Sequence, residues 1–155
     1  MATEHTRYGV AVGLIKDKAI YLSRRIDTPM FPKKWQFVNG WLWGSEQSQD
    51  AALRVVETQT GIKIEKDRLN YINSLTVTES NEFYYIYLVH LEDSETPTNT
   101  DIKYRSDWKL FPLEAASILD LVPGLRTIIR RTRIALVRVE AMEKAAKTEN
   151  YSGSY

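Results

Sequence analysis

Aromatic side chains are concentrated in one short stretch of the sequence. Trp41 and Trp43 flank Leu42, and Phe31 and Trp35 precede them closely. Because side chains alternate in an extended segment, we expect both tryptophans on one side and Leu42 on the other. The functional interpretation is a platform on which a nucleobase or a similar planar ligand stacks. The competing interpretation is an apolar patch covered by the C-terminal helix or by a second subunit.

The last predicted helix carries a basic stripe. Arg126, Arg130 and Arg133 recur at i, i+4 and i+7 and so share one face. Contact with phosphate or RNA is one interpretation, but a solvated helix face is favoured because acidic residues interrupt the basic run further on. Tyr87 lies in an alternating strand whose tyrosines are more typical of a core than of a ligand site. We keep Tyr87 among the candidate ligand contacts.

Several other chemistries are excluded by composition. The 155 residues contain no cysteine, which removes thiol nucleophiles and thiolate metal sites. His5 and His90 are too far apart in sequence to form a zinc site by spacing. The net charge of +1 gives no global field toward nucleic acid. The N-terminus has no apolar signal region and no run is long enough to span a membrane, so we expect a cytoplasmic protein without a membrane partner.

The elements that must position these residues alternate between strands and helices. Turn signals and periodicity predict strands at 8–16, 19–24, 35–38, 69–78, 83–90 and 107–110. Helices are predicted over 46–60 and 125–147, and residues 111–114 lead into a further helix that ends near 121. The first helix is capped by Ser45 and ended by Gly61. This order predicts an α+β fold in which a mixed sheet is sandwiched between helices. We expect one domain over 8–147, with flexible tails at 1–7 and 148–155.

One segment resembles the signature of a known family. The Nudix box is written G-x5-E-x7-R-E-U-x-E-E-x-G-U, where U is aliphatic. The positions of this chain that match it, with no gap in the spacing, are Gly40, Glu46, Arg54, Val56, Gly61 and Ile62. The preceding WQFVNG and the later DWKLFPLE are also similar to family sequences. The resemblance covers about residues 8–121 and implies the Nudix α/β/α fold, in which Glu46 and Arg54 hold the loop against the helix.

The same comparison shows what is missing from the box. The family's three metal-binding glutamates correspond to Val55, Thr58 and Gln59, which are neutral. Those positions are i, i+3 and i+4 and share one helix face, where the family presents carboxylates to Mg²⁺. Glu57 and Asp50 point away from that face. The ordinary magnesium site is therefore not expected, and we identify no catalytic residue and no metal ligand.

Two routes to a metal site stay open. Thr58 and Gln59 could give neutral oxygens to a metal held mainly by a ligand's phosphates. Alternatively, a carboxylate from outside the box could reach the cleft, and the acids considered are Glu79, Glu82, Asp101 and Asp107. Some relatives with degenerate boxes, such as GDP-mannose mannosyl hydrolases, remain active, although they keep at least one box glutamate.

These observations support three functional hypotheses. The preferred one is a pseudoenzyme that binds a nucleotide or a nucleoside-diphosphate-linked ligand with little or no ordinary Mg²⁺-dependent hydrolysis. The second is a divergent hydrolase of a nucleoside diphosphate derivative such as a nucleotide sugar, and only this one requires Mg²⁺ or Mn²⁺. The third is a structural or protein-interaction module, and a homodimer is compatible with all three. Whether the chain is an enzyme is left open by its sequence.

The resemblance adds two arginines to the residues considered for ligand binding. The family often has arginine near the ligand phosphates where Arg24 and Arg25 end the second strand, although solvated charges are the alternative. The full set of candidate ligand contacts is Arg24, Arg25, Phe31, Trp41, Trp43, Gln59 and Tyr87.

Overall fold

The computed structural model describes residues 5–26, 28–29 and 31–152. Its strands are β1 (Arg7–Lys16), β2 (Ala19–Arg24), β3 (Trp35–Gln36), β4 (Val38–Trp41), β5 (Asn70–Val77), β6 (Glu82–His90) and β7 (Lys109–Pro112). Its helices are α1 (Ser48–Thr60), α2 (Leu113–Ala116) and α3 (Leu125–Ser152), with single 3₁₀ turns at Lys66–Arg68 and Thr78–Ser80. The strands form one mixed sheet in the order β3-β2-β1-β6-β5, and β4 and β7 pair with β1 and β2.

The centre of the sheet is buried on both faces. Strand β1 pairs in parallel with β6 and antiparallel with β2 and β4. Its alternate residues enter two separate cores: Val10, Val12 and Leu14 pack in the layer of α1, and Ala11 and Ile15 pack in the layer of α2 and α3. A strand covered on both sides reads as a continuous apolar run, as this one does. The predicted α+β sandwich is confirmed.

Two hairpins agree with the sequence pattern. Asp17 and Lys18 both have positive φ angles, 50° and 62°, which is the backbone of a type I′ turn between β1 and β2. Strands β5 and β6 follow each other in the sequence and pair antiparallel, with a register shift between Tyr71 and Asn73. Arg68, just before β5, forms a bidentate ion pair with Glu95, in which Nη2 and Nη1 donate to the two carboxylate oxygens at 2.5 and 2.8 Å. This pair connects the loop after β6 to the hairpin.

The predicted starts and ends of the helices need correction. Helix α1 begins at Ser48 rather than at residue 46, and its N-cap is Gln47, which makes no side-chain cap bond; Ser45 does not cap it. Glu46 is held outside the helix by bonds to the loop. At the other end Gly61 has φ 75° and donates its N–H to the Glu57 carbonyl, as the αL cap requires.

The second helix is much shorter than predicted. Helix α2 ends at Ala116 instead of continuing to residue 121. The reason is a competing set of backbone hydrogen bonds. The Trp35 N–H donates to the Asp120 carbonyl at 2.8 Å, and the Trp35 carbonyl accepts the Val122 N–H at 3.0 Å. These bonds pull residues 120–122 into an extended path beside β3.

The last helix extends beyond its predicted end and is only partly packed. Leu125, Ile128 and Ile129 are buried against the sheet, whereas Val137 and Met142 are 65% and 72% exposed. The guanidinium of Arg126 donates to the carbonyls of residues 117 and 119, and that of Arg133 lies 4.0 Å from a carboxylate oxygen of Glu114. Two arginines of the basic stripe therefore have contacts within the chain.

Residues 1–4 and 153–155 of the two predicted tails lie outside the described residues. At the N-terminus, Arg7 belongs to β1 and pairs with Glu82, so the sheet begins one residue before the predicted boundary. At the other end, helix α3 continues to Ser152, past the predicted limit at 147. Among the described residues, no helix is long and apolar enough to cross a membrane.

Candidate functional site

The box loop is fixed to α1 by one ion pair. Arg54 donates from Nε and Nη2 to the carboxylate of Glu46 at 3.1 and 3.0 Å, and Nη2 also reaches the Trp41 carbonyl at 2.7 Å. Glu46 in turn accepts the backbone N–H of Trp43 at 3.1 Å. The hydrogen bond from Arg54 lowers the pKa of Glu46 below its usual range. The pair therefore holds the loop–helix geometry and has little exposed surface left for other chemistry.

The helix face that would carry metal ligands is occupied by the protein itself. Val55 is buried and packs so closely on Gly40 that a Cβ at Gly40 would lie 2.6 Å from the Val55 Cγ1. Thr58 Oγ1 donates to the Val55 carbonyl, and Gln59 Nε2 donates to the Asn39 carbonyl at 2.6 Å. No group of three or more histidine, aspartate or glutamate side chains suited to a metal occurs among the described residues.

Beside the box loop, a cleft of about 350 Å³ opens between the sheet and the start of α3. Its wall contains an aromatic stack, in which Trp41 lies on Tyr84 with ring centroids 5.7 Å apart and an interplanar angle of 28°. The guanidinium of Arg7 covers the Trp41 ring at 3.9 Å. Phe31 also lines the cleft and is 38% exposed. Aromatic faces with adjacent cations are suited to planar, negatively charged ligands.

The polar residues that line the cleft include Arg25, Gln36, Glu82 and Tyr84. Arg25 donates to the Gln36 side-chain oxygen at 2.9 Å, and the Tyr84 hydroxyl donates to Glu82 at 2.9 Å. Burial, followed by the hydrogen bond to Glu82, raises the pKa of Tyr84. Tyr84 is therefore a neutral hydrogen-bonding group, and Glu82 keeps one carboxylate oxygen for a ligand donor.

A second cavity of about 740 Å³ adjoins the cleft at Arg25, which lines both. Arg24, Lys33 and Ser106 lie on its wall. Arg24 is held by its Nε bond to the Lys33 carbonyl at 2.9 Å, and its backbone N–H donates to Ser106 Oγ at 2.8 Å. The two cavities place positive charge at the junction between them.

A family model of the NUDIX domain matches residues 5–132, most of the chain. The chain belongs to the Nudix family. No curated protein matches the sequence. The segment that resembles the Nudix box, with Glu46 and Arg54, lies within the matched residues.

Solved Nudix structures share this fold at low sequence identity. The chain is similar to a MutT NUDIX hydrolase from Burkholderia pseudomallei, with a TM-score of 0.69 and 21% identity over 83% of this chain and 98% of that one. It is also similar to the NUDIX domain of Shewanella oneidensis NrtR complexed with ADP ribose, with a TM-score of 0.71 and 16% identity over 86% and 90%. For a C. elegans Ap4A hydrolase the TM-score is 0.62, with 15% identity over 85% and 98%.

The structure separates the predicted ligand residues into different places. Arg25, Phe31 and Trp41 come together in the Nudix cleft, and Arg24 lines the adjoining cavity. Gln59 lies behind the cleft wall, where its amide binds Asn39. Tyr87 is buried in the α1 layer, on the opposite side of the sheet, and its hydroxyl shares a 2.6 Å hydrogen bond with Ser48.

The expected common platform of Trp41 and Trp43 is wrong. Strand β4 ends at Trp41, and the turn at Gly44, with φ 52°, follows almost at once, so the alternation does not continue. Trp43 is 63% exposed and lies over the Arg54 guanidinium at 3.5 Å, outside the cleft. Leu42 packs against the core beside α1.

The sequence did not identify Arg7 and Tyr84 as cleft residues, and it offered Glu82 only as one of four acids that could reach the cleft. Arg7 was assigned to a tail, and Tyr84 was treated as one of several core tyrosines. Of the four acids considered as outside metal ligands, Glu82 lines the cleft, whereas Glu79, Asp101 and Asp107 line neither of the two cavities described. The alternation of β6, which places Tyr84 beside Glu82 across one residue, was the available signal.

Proposed function

We propose that this Nudix protein binds a nucleoside-diphosphate-linked ligand in the cleft and does not perform the ordinary Mg²⁺-dependent hydrolysis. The observation that carries the proposal is the state of the box face. Val55 is packed on Gly40, and the Gln59 side chain is bonded within the protein. A hard divalent cation needs carboxylate oxygens, and this face supplies none.

The contents of the cleft support a nucleotide as the ligand. Trp41, Tyr84 and Phe31 line the cleft with aromatic carbon against which a base can pack, and the free acceptor of Glu82 suits an exocyclic amino group. Arg25 and Arg7 provide positive charge for phosphate at the same site. Two of the similar structures are the NUDIX domain of NrtR complexed with ADP ribose and an Ap4A hydrolase, and both names agree with this ligand class.

The second candidate function is hydrolysis of a nucleoside diphosphate derivative such as a nucleotide sugar. The specific observation in its favour is Glu82, a carboxylate in the cleft whose second oxygen makes no bond within the described part of the chain. Glu82 would then act with a metal brought mainly by the ligand's phosphates. A homodimer through the exposed apolar residues of α3 is compatible with either function and also belongs to the interaction hypothesis.

Turnover assays distinguish these functions. Nucleoside triphosphates, dinucleotides and nucleotide sugars are incubated with the protein and Mg²⁺ or Mn²⁺, with EDTA in a parallel series. We expect no product release, together with a rise in melting temperature for at least one nucleoside diphosphate derivative. EDTA-sensitive turnover that is lost in Glu82→Gln would refute the binding proposal and establish the hydrolase alternative.

A further inference from the structure

The carboxylate of Glu82 has one oxygen that no group of the described chain occupies. Glu82 begins β6 and lines the cleft, and its Oε2 accepts the Tyr84 hydroxyl at 2.9 Å. Its neighbour across the strand pair is Arg7, but the Arg7 guanidinium lies over the Trp41 ring, 3.9 Å from the centroid. None of the ion pairs within the described residues includes Glu82. The carboxylate therefore keeps an acceptor at the cleft that the fold itself does not use.

The Tyr84 hydroxyl is a second acceptor beside this carboxylate. Its proton is donated to Glu82, so only the lone pairs of the oxygen remain for another partner. The ring is fixed in place because it stacks on Trp41, with centroids 5.7 Å apart, and lies close to β1, where a Cβ at Gly9 would be 2.9 Å from Tyr84 Cε1. Two adjacent acceptors thus lie beside the aromatic wall of the cleft.

This pair of acceptors matches one of the common bases. Guanine carries two donors side by side, the N1–H and the 2-amino group. The amino group of adenine or cytosine is instead next to a ring nitrogen that carries a lone pair, and uracil has a single N–H between two carbonyls. A lone pair that faces a carboxylate is repelled, and it leaves one of the two acceptors unpaired. Bases other than guanine are therefore penalised at this position.

Donors lie in another part of the cleft, and one of them, on a nearly buried side chain, has no partner. Gln36 belongs to β3, which β2 and β1 separate from β6 in the sheet. Only 6% of Gln36 is exposed, and its Oε1 accepts Arg25 Nη1 at 2.9 Å, which fixes the orientation of the amide. Its Nε2 makes no hydrogen bond with the described residues, although Gln36 lines the cleft. This amide and the charge of Arg25 suit the oxygens of a phosphate, so the ligand has a direction from Glu82 toward Arg25.

We propose that Glu82 and Tyr84 make the cleft selective for guanine, so that the ligand is a guanosine diphosphate derivative. The N1–H and the 2-amino group of the base donate to the Glu82 carboxylate and the Tyr84 hydroxyl oxygen, and the diphosphate lies toward Arg25 and Gln36. This inference rests on the proposed function and names the base of its ligand. It gives Glu82 a role that requires no metal.

Titration calorimetry of the wild-type protein in EDTA, with GDP, IDP and ADP, tests the inference. EDTA removes any metal, so a metal-holding role of Glu82 does not contribute. We expect GDP to bind about tenfold to hundredfold more tightly than ADP, since adenine presents one donor and one lone pair to the two acceptors. IDP keeps the N1–H and lacks only the 2-amino group, so it should bind on the order of tenfold more weakly than GDP. ADP should still bind, because its packing and phosphate contacts are the same.

Variants assign the preference to the two acceptors. In Glu82→Gln the Tyr84 hydroxyl occupies the amide oxygen and an amide N–H faces the donors of guanine. GDP affinity should fall by at least about tenfold, and ADP affinity should change by less than about threefold. The matched control is Glu79→Gln, which removes an exposed carboxylate that lines neither cavity and should leave both affinities unchanged. Tyr84→Phe keeps the ring, removes the second acceptor and should also weaken GDP more than ADP, so the test holds even if Glu82→Gln folds poorly.

The remaining outcomes distinguish the inference from the proposed function. Equal affinities of the wild-type protein for GDP, IDP and ADP support nucleotide binding and overturn the inference alone. An equal loss of GDP and ADP affinity in Glu82→Gln gives Glu82 a structural role and also overturns the inference alone. A GDP preference in EDTA, together with hydrolysis of a guanosine diphosphate derivative in Mg²⁺, supports the base assignment and contradicts the proposed function. Failure of all three nucleotides to bind overturns both.

Discussion

The ion pair between Glu46 and Arg54 should be one of the main supports of the box loop. Both side chains are only about a fifth exposed, at 18% and 20%. Arg54→Met removes the two bonds to Glu46 and the bond to the Trp41 carbonyl, and it leaves the carboxylate without its partner. Hydrogen bonds to charged groups contribute about 1.5–3 kcal/mol each but act together here, so we expect a loss of about 3 kcal/mol.

That loss corresponds to a fall in melting temperature of about 6–12 °C for a chain of this size. Thermal and urea unfolding at pH 7 and moderate salt measure it. Arg138→Met, which removes an exposed arginine from α3, should change the free energy of unfolding by less than about 0.5 kcal/mol. In a double-mutant cycle with Glu46→Gln, the two losses should be strongly non-additive.

The pH dependence of this variant provides a further check. The folded-state pKa of Glu46 is lowered by the Arg54 hydrogen bond, so the associated stability is present above the unfolded-state pKa and is lost as the pH falls through the folded-state value. Arg54→Met should therefore lose less stability on acidification than the wild-type protein. A melting temperature within about 2 °C of wild type at pH 7 would refute the structural role given to the pair.

Three further perturbations follow from the same contacts. Gly40→Ala should destabilise the protein by about 1–3 kcal/mol because its Cβ would meet Val55 at 2.6 Å, and Val55→Ala in the same chain should relieve part of this strain; equal stability of Gly40→Ala and wild type in urea would contradict the packing. Trp41→Ala should weaken ADP binding by about fivefold to 150-fold. Trp43 lies outside the cleft, so Trp43→Ala should leave the ADP affinity measured by calorimetry unchanged. A larger effect of Trp43→Ala than of Trp41→Ala would contradict the placement of Trp41 in the ligand site. The hydrogen bond from Arg68 lowers the pKa of Glu95 to about 2. The ion pair's contribution of about 2 kcal/mol to the free energy of unfolding should therefore be complete above the unfolded-state pKa and be lost as the pH falls toward 2. Glu95→Gln should make the free energy of unfolding less dependent on pH over that range, and an unchanged pH dependence would count against the pair.

Local sequence signals predicted the parts of this molecule that local physics determines. The turn at Asp17 and Lys18, the αL cap at Gly61 and the antiparallel pairing of β5 with β6 each depend on residues close together in the sequence. The contact of Glu46 with Arg54 was implied by the resemblance to the Nudix box, and the structure joins the two side chains at 3.1 and 3.0 Å.

Features that depend on tertiary contacts could not be predicted in the same way. Helix α2 ends early because the backbone of Trp35 forms hydrogen bonds with Asp120 and Val122, which follow the helix. The two tryptophans separate because β4 ends at Trp41. Arg105 is distant in sequence from Gln59 and reaches it only because residues 98–108 are hydrogen-bonded to the end of α1, so no pattern in the sequence placed a guanidinium at the box face.

We propose that the cleft binds a nucleoside-diphosphate-linked ligand with no metal at the box. The most direct measurement is a calorimetric titration with ADP-ribose, once in EDTA and once in millimolar Mg²⁺. We expect dissociation constants equal to within about twofold and an intact ligand recovered from both samples. Binding that requires Mg²⁺, or that tightens by on the order of tenfold in its presence with breakdown of the ligand, would contradict it.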